Sequence, residues 1–216
     1  GDSASPKTLG HGLSKAPEVW VYRNINDNGS WNMYHHKTSS PFAKTLYLND
    51  TAAETTSVTA SAISSTLVTV PDGGATDSPN RLLAYAFHSV EGYSRMGSYV
   101  ATGTAADPEF NNMIYLGFRL KWIMIKNSTN TGGGGSGNWC IIDTERDTFN
   151  PSDARLEADT TNAENGDSRS PDIDIFAHGF KIRGTAGDGK YEWNWTGQTY
   201  VYIAFAETPF KYANAR

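Results

Sequence analysis

Four groups of residues have the types and spacing to do chemistry. Asp143, Glu145, Arg146 and Asp147 bring carboxylates and a guanidinium together behind an apolar run, and paired carboxylates are what glycoside cleavage requires. His35-His36 supplies two imidazoles, but neighbours on a strand point to opposite faces, so joint chelation would need a bend and no metal site is expected. Asp172 and Asp174 alternate and share a face that could help hold calcium. Pro171 before them and the lack of EF-type spacing after them favour a solvated strand edge. Tyr191, Trp193 and Trp195 also alternate, so on a strand all three rings leave one face, with Asn194 and Gln198 close by to bind hydroxyls. Such a row suits stacking on sugar rings, and equally suits packing against a neighbouring subunit or the core.

Several chemistries are unsupported. Cys140 is the only cysteine, so no internal disulfide forms, and within Trp139-Cys140-Ile141-Ile142 it reads as a small buried hydrophobe. There is no Gly-x-Ser-x-Gly elbow and no phosphate-binding Gly-Lys-Ser/Thr loop, and the Gly132 to Ser136 run reads as a surface loop. No catalytic residue, metal or cofactor is therefore expected. The formal charge of −5 offers no basic stripe for nucleic acid. No apolar run approaches the roughly 18 residues of a membrane helix, so membrane insertion is not expected either. The opening Gly-Asp-Ser-Ala-Ser-Pro lacks a signal-peptide pattern, and Gly rather than Met at position 1 fits a fragment or processed product of something longer.

The elements that must position these groups are strands. Gly, Ser, Thr and Asn are abundant, and the apolar runs are short and rich in β-branched or aromatic residues. Strands are predicted at Val19–Arg23, Trp31–His35, Thr45–Leu48, Thr66–Val70, Leu82–Phe87, Met113–Phe118, Trp122–Lys126, Trp139–Asp143, Phe180–Arg183 and Thr199–Ala206. Turn signals separate them at Asn28-Gly29, Pro71 to Gly74, Gly132 to Gly135, Asn165-Gly166 and Gly187 to Gly189.

The strands repeat. Val19 to Asn24 corresponds to Trp122 to Asn127, Gly29 to Tyr34 to Gly137 to Ile142, Leu46 to Glu54 to Leu156 to Glu164, and Tyr85-Ala86-Phe87 to Ile203-Ala204-Phe205. The offset grows from 103 between Val19 and Trp122 to 118 between Ala86 and Ala204, as longer loops in the second copy would make it. His35-His36 falls on Asp143-Thr144, so the fold needs no imidazole there. Trp31 and Trp139, each placed just after a glycine turn, read as sheet anchors. The expected fold is all-β, an antiparallel β-sandwich of jelly-roll or concanavalin-like type built from two duplicated halves. Residues 1–16 form a lead-in, 17–92 the first repeat, 93–118 connecting strands and 119–216 the second repeat, with the halves packed as one unit.

The segments Leu9-Gly10-His11-Gly12-Leu13, Glu91-Gly92-Tyr93-Ser94, Gly97-Ser98-Tyr99, Leu116-Gly117-Phe118-Arg119, His178-Gly179-Phe180-Lys181-Ile182-Arg183 and Ala204 to Tyr212 resemble, in this order, a repeat domain of marine and environmental phage proteins. The match spans nearly the whole chain. In that family such repeats occupy the C-terminal part of long virion proteins, described as tail-fibre or structural proteins and sometimes joined to lectin-like modules, and no active site is established. The resemblance implies a module on the exterior of a phage particle, non-catalytic, contributing to host attachment. Its partners would be other virion proteins, further copies of itself (a trimer by likeness to phage fibres) and a host surface glycan. A purely structural, capsid-decorating or fibre-building role is the first alternative and a glycan-cleaving enzyme the second.

Overall fold

The computed structural model describes residues 6–26, 28–71, 81–102, 113–129, 137–164, 173–183 and 193–208. All regular structure among them is antiparallel strand. The chain divides into two compact units that meet between His88 and Ser89.

The first unit holds β1 (Lys7–Gly10), β2 (Val19–Asn24), β3 (Asn32–His35), β4 (Lys44–Tyr47), β5 (Thr55–Thr56), β6 (Ala62–Ile63), β7 (Leu67–Val70) and β8 (Leu82–Phe87). They form a five-stranded sheet in the order β5-β4-β3-β2-β8 and a three-stranded sheet β1-β7-β6. Trp20 and Tyr22 alternate on β2, so both side chains leave the same face. With Tyr34 of β3 they cluster with Val68 and Val70 of β7, while Leu9, Ile63, Leu82, Ala84 and Ala86 pack around them. The core therefore draws on both sheets, which defines a sandwich.

The second unit holds β9 (Ser94–Val100), β10 (Met113–Tyr115), β11 (Leu120–Asn127), β12 (Cys140–Asp143), β13 (Leu156–Glu157), β14 (Ile173–Phe176), β15 (Gly179–Ile182) and β16 (Thr199–Ala206). The sheets are β13-β12-β11-β16-β9 and β10-β15-β14. Ile123, Ile125, Ile142, Tyr200 and Tyr202 from the large sheet meet Ile114, Ile173, Ile175, Phe180 and Ile182 from the small one. Tyr99 stacks on Tyr200 with ring centroids 5.1 Å apart, and Phe180 meets Tyr202 edge-on at 6.4 Å.

Four strands of each large sheet and the three of each small one follow the same order, with β5 added in the first unit and β9 in the second, and the registers coincide at the residues the sequence pairs. Val21 lies opposite Met33, and Met124 opposite Ile141. Trp20 lies opposite Ala86, and Ile123 opposite Ala204. Met33 faces Leu46, and Ile141 faces Leu156. Local hydrogen bonds repeat as well. The Trp31 N–H donates to Asn49 Oδ1 at 2.9 Å and the Trp139 N–H to Asp159 Oδ1 at 3.2 Å. Arg23 lies over the Trp31 ring as Lys126 lies over that of Trp139.

Two boundaries differ from the sequence reading. The lead-in carries β1, a full member of the first small sheet through its pairing with β7. The stretch assigned to connecting strands supplies β9 and β10, which pair with β16 and β15 inside the second unit, so the division falls before residue 92. The free side of β14 is also occupied. Ser152 exchanges backbone hydrogen bonds with Ile173, and the Asn150 side chain accepts from Ile175 N at 2.9 Å and donates to Ile175 O at 3.0 Å.

Gly179 is where β15 approaches β10 most closely. A Cβ there would lie 2.0 Å from the Ile114 carbonyl oxygen, which is backbone and cannot yield. Gly179→Ala is expected to lower stability by about 3 kcal/mol in chemical denaturation. Gly12→Ala, where a Cβ would meet nothing within 4 Å and only the positive φ of 69° is strained, should cost about 1 kcal/mol.

Candidate functional site

The aromatic row expected at Tyr191, Trp193 and Trp195 does not form among the described residues, and Tyr191 lies outside them. Residues 193–198 make turns, not a strand, so the alternation that would align the rings is broken. Trp193 is 2 % exposed and belongs to the core of the second unit, and Asn194 and Gln198 are buried too. Their polar groups hold the turn. Tyr99 Oη donates to Trp193 O at 2.8 Å, Asn127 Nδ2 to Gln198 Oε1 at 2.5 Å, and the Trp195 N–H to Tyr200 Oη at 3.2 Å. Gly197 reverses the chain at φ 78° and donates to Ala101 O. A ring this deeply buried has no face to offer a sugar, which removes Trp193 from the expected ligand site, whereas Trp195 is half-buried. Trp193→Ala should cost about 3–5 kcal/mol of stability in a denaturation experiment.

The other chemistry-bearing groups are engaged locally. Asp143 Oδ1 accepts from Glu145 N at 2.9 Å, Glu145 pairs with Lys121, and Arg146 pairs with Glu164 at 2.8 Å. Asp147 Oδ2 accepts from Asp153 N and Ala154 N. His35 does the work of Asp143 in the first unit, its Nδ1 accepting from Lys37 N at 3.2 Å. Asp174 pairs with Arg183 at 3.4 Å, and Asp172 lies outside the described residues. Cys140 is buried, and burial pushes its thiol up to about 11, so it stays protonated near neutrality. Among the described residues no group of three His, Cys, Asp or Glu side chains converges as metal ligands would.

The second unit buries a charged nest beside β13. Arg155 pairs with Glu157 at 2.9 Å, both side chains nearly enclosed. Burial raises the Glu157 carboxyl, but hydrogen bonds from Thr160, Asn138 and Asn162 and the Arg155 charge outweigh it and hold the group below its ordinary 4.5. Asp147 is likewise raised by burial and lowered further by its backbone donors, ending below 3.8. A carboxylate depressed in the folded state contributes stability that is present above its unfolded value and lost as pH falls through the folded one. Asp159, raised mainly by burial, acts in the opposite sense. Acid titration of stability from about pH 5 to about pH 3 is expected to show a loss, and Glu157→Gln should make that dependence shallower.

An open cleft of about 330 Å³ lies entirely within the second unit. One wall comes from the turn that leads into β9. Val90 accepts from Tyr93 N and bridges to Ser94, Gly92 takes φ 70°, and Ser89 Oγ accepts from Met96 N, so Ser89, Glu91, Ser94 and Arg95 line one side. The other wall is Tyr115, Leu116 and Gly117 at the end of β10. Leu116 N and Gly117 N both donate to His178 O, at 2.8 and 3.1 Å, which fixes that end against β15. Tyr115 is 65 % exposed. An acid, a guanidinium and hydroxyls therefore face an aromatic ring, a set suited to binding a polar ligand with an apolar face. Among the described residues lining the cleft, Glu91 is the one carboxylate.

The sequence reading named none of these residues as a site. The available signal was Met113-Ile114-Tyr115, where alternation on a strand sends two large side chains outward while Ile114 enters the core.

Fold and cleft together define an all-β protein of two antiparallel sandwiches, with a polar and aromatic cleft on the second. The chain belongs to the family described as Domain of unknown function (DUF7483), whose model matches residues 1–209. No curated protein and no solved structure matches it.

Proposed function

We propose that this protein is a non-catalytic module on the exterior of a bacteriophage particle, a tail-fibre module that contributes to host attachment by reversible binding. The resemblance of its ordered motifs to phage virion repeats supports the setting. The observation that carries the binding role is the cleft itself: among the described residues β9 has no counterpart in the first unit, and its Ser94 and Arg95 line the cleft. In this reading the module works as an oligomer, with a trimer expected, beside other virion proteins. It leaves its ligand unchanged, because the carboxylates behind β12 are committed to turns and ion pairs.

The test uses the purified chain and labelled phage particles. Saturable binding to host cells, without turnover of their surface polysaccharide, and label on the tail are the expected results. No cell binding at high concentration would favour the structural role, and polysaccharide turnover abolished by Asp143→Ala or Glu145→Ala would favour the enzyme.

A further inference from the structure

We infer that the outer face of the β10-β15-β14 sheet, continuous with the cleft through Tyr115, is a platform for a pyranose oligosaccharide. The inference rests on the attachment reading and names the ligand class and the residues that meet it. Strand alternation sends Ile114, Phe180, Ile173 and Ile175 into the core and leaves Met113, Tyr115 and Phe176 outside. Met113 and Tyr115 are 63 % and 65 % exposed and Phe176 39 %. In the register Tyr115 lies opposite Gly179, and Gly179 opposite Phe176. The two rings therefore stand two strand spacings apart, about 10 Å, with side-chain-free backbone between them.

The first unit serves as an internal control. Its equivalent sheet has the same order and register, yet Thr8 stands where Met113 stands, Gly10 in place of Tyr115 and Ala62 in place of Asp174, while Leu67, 45 % exposed, takes the place of Gly179. Thr8 Oγ1 and Thr69 Oγ1 lie 3.3 Å apart across that face. The fold thus closes without rings at these positions. An exposed aromatic ring at Tyr115, where the first unit carries Gly10, points to a ligand.

The size of the face selects the kind of ligand. Among the described residues, three strands of three or four residues offer roughly 10 by 13 Å, on the order of 130 Å². A stable contact between protein copies takes about 800 Å² from each partner. A sugar chain fits the smaller area, since its apolar ring faces stack on aromatic rings and its hydroxyls need donors and acceptors at the margin. Those are present: the His178 ring 6.2 Å from that of Tyr115, the Asp174–Arg183 pair, and Glu91 and Arg95 in the cleft.

The experiment presents the whole chain to an array of neutral and acidic oligosaccharides, titrates the best binder by intrinsic fluorescence, and follows cell binding and sedimentation in parallel. Tyr115→Ala and Phe176→Ala should each weaken binding by about tenfold with the melting curve unchanged, because both side chains lie outside the core. Leu83→Ala, exposed on the first unit, should leave it unaltered. A silent array, or binding indifferent to both substitutions, overturns the platform. If the double variant still binds cells, attachment stands and this face is not its instrument. If the chain binds no cells but binds sugar through Tyr115 and Phe176, attachment falls and the platform stands. A changed oligomeric state in the double variant with sugar binding intact makes the face a contact between copies and overturns the inference.

Discussion

The pairing of a long central strand with the last strand of its unit is the interaction on which everything else depends. In the second unit β11 and β16 run antiparallel from Leu120 opposite Ala206 to Asn127 opposite Tyr200, and in the first β2 and β8 do the same from Val19 opposite Phe87. A slip of one residue would turn Ile123 and Ile125 out of the core and Trp122 and Met124 into it. Register here decides which side chains meet the small sheet, and so which face of β10 and β14 is left for solvent. The cleft and the outward rings are consequences of a pairing made on the other side of the core.

The duplication shows what this architecture requires and what it tolerates. Both units keep an acceptor for the indole-bearing turn, Asn49 in one and Asp159 in the other, and both place a cation over the tryptophan ring. His35 and Asp143 differ in chemistry yet accept the same kind of backbone hydrogen bond, so the position asks for an acceptor and not for an imidazole. Where the copies diverge, they do so on surfaces and at the edge beside β13, where the second unit buries Arg155 and Glu157. A buried pair of this kind is costly to break from one side, and it adds specificity to a core that is otherwise apolar.

Much of the fold was legible in the sequence because strand periodicity and a repeat are properties of the chain alone. The ten predicted strands all overlap observed ones, and the residues paired between copies hold equivalent register positions. The strands not predicted by position include the two-residue β5, β6 and β13, and β9, which lies within the stretch 93–118 read as connecting strands but not bounded there. β9 contains Gly97, which weakens its strand signature, yet the Tyr202 hydroxyl lies over it where a Cβ would stand. The motif glycines thus have packing reasons, Gly179 against Ile114 and Gly97 beneath Tyr202, that spacing cannot reveal. The candidate site was the least legible part. Alternation from Trp193 to Trp195 implies a shared face only on a strand, and Gly197 makes the segment a turn. Tyr115 was hidden for the opposite reason, since an apolar residue in a strand is ordinarily assigned to the core.

The Asn150 amide and the Ser152 backbone have an effect beyond holding their loop. Between them they occupy both hydrogen-bonding residues on the outer side of β14, so a strand from another molecule finds no ladder to extend there. The protein is guarded along this border from open-ended sheet growth, and any association on this side must use side chains across a surface instead of main chain along an edge.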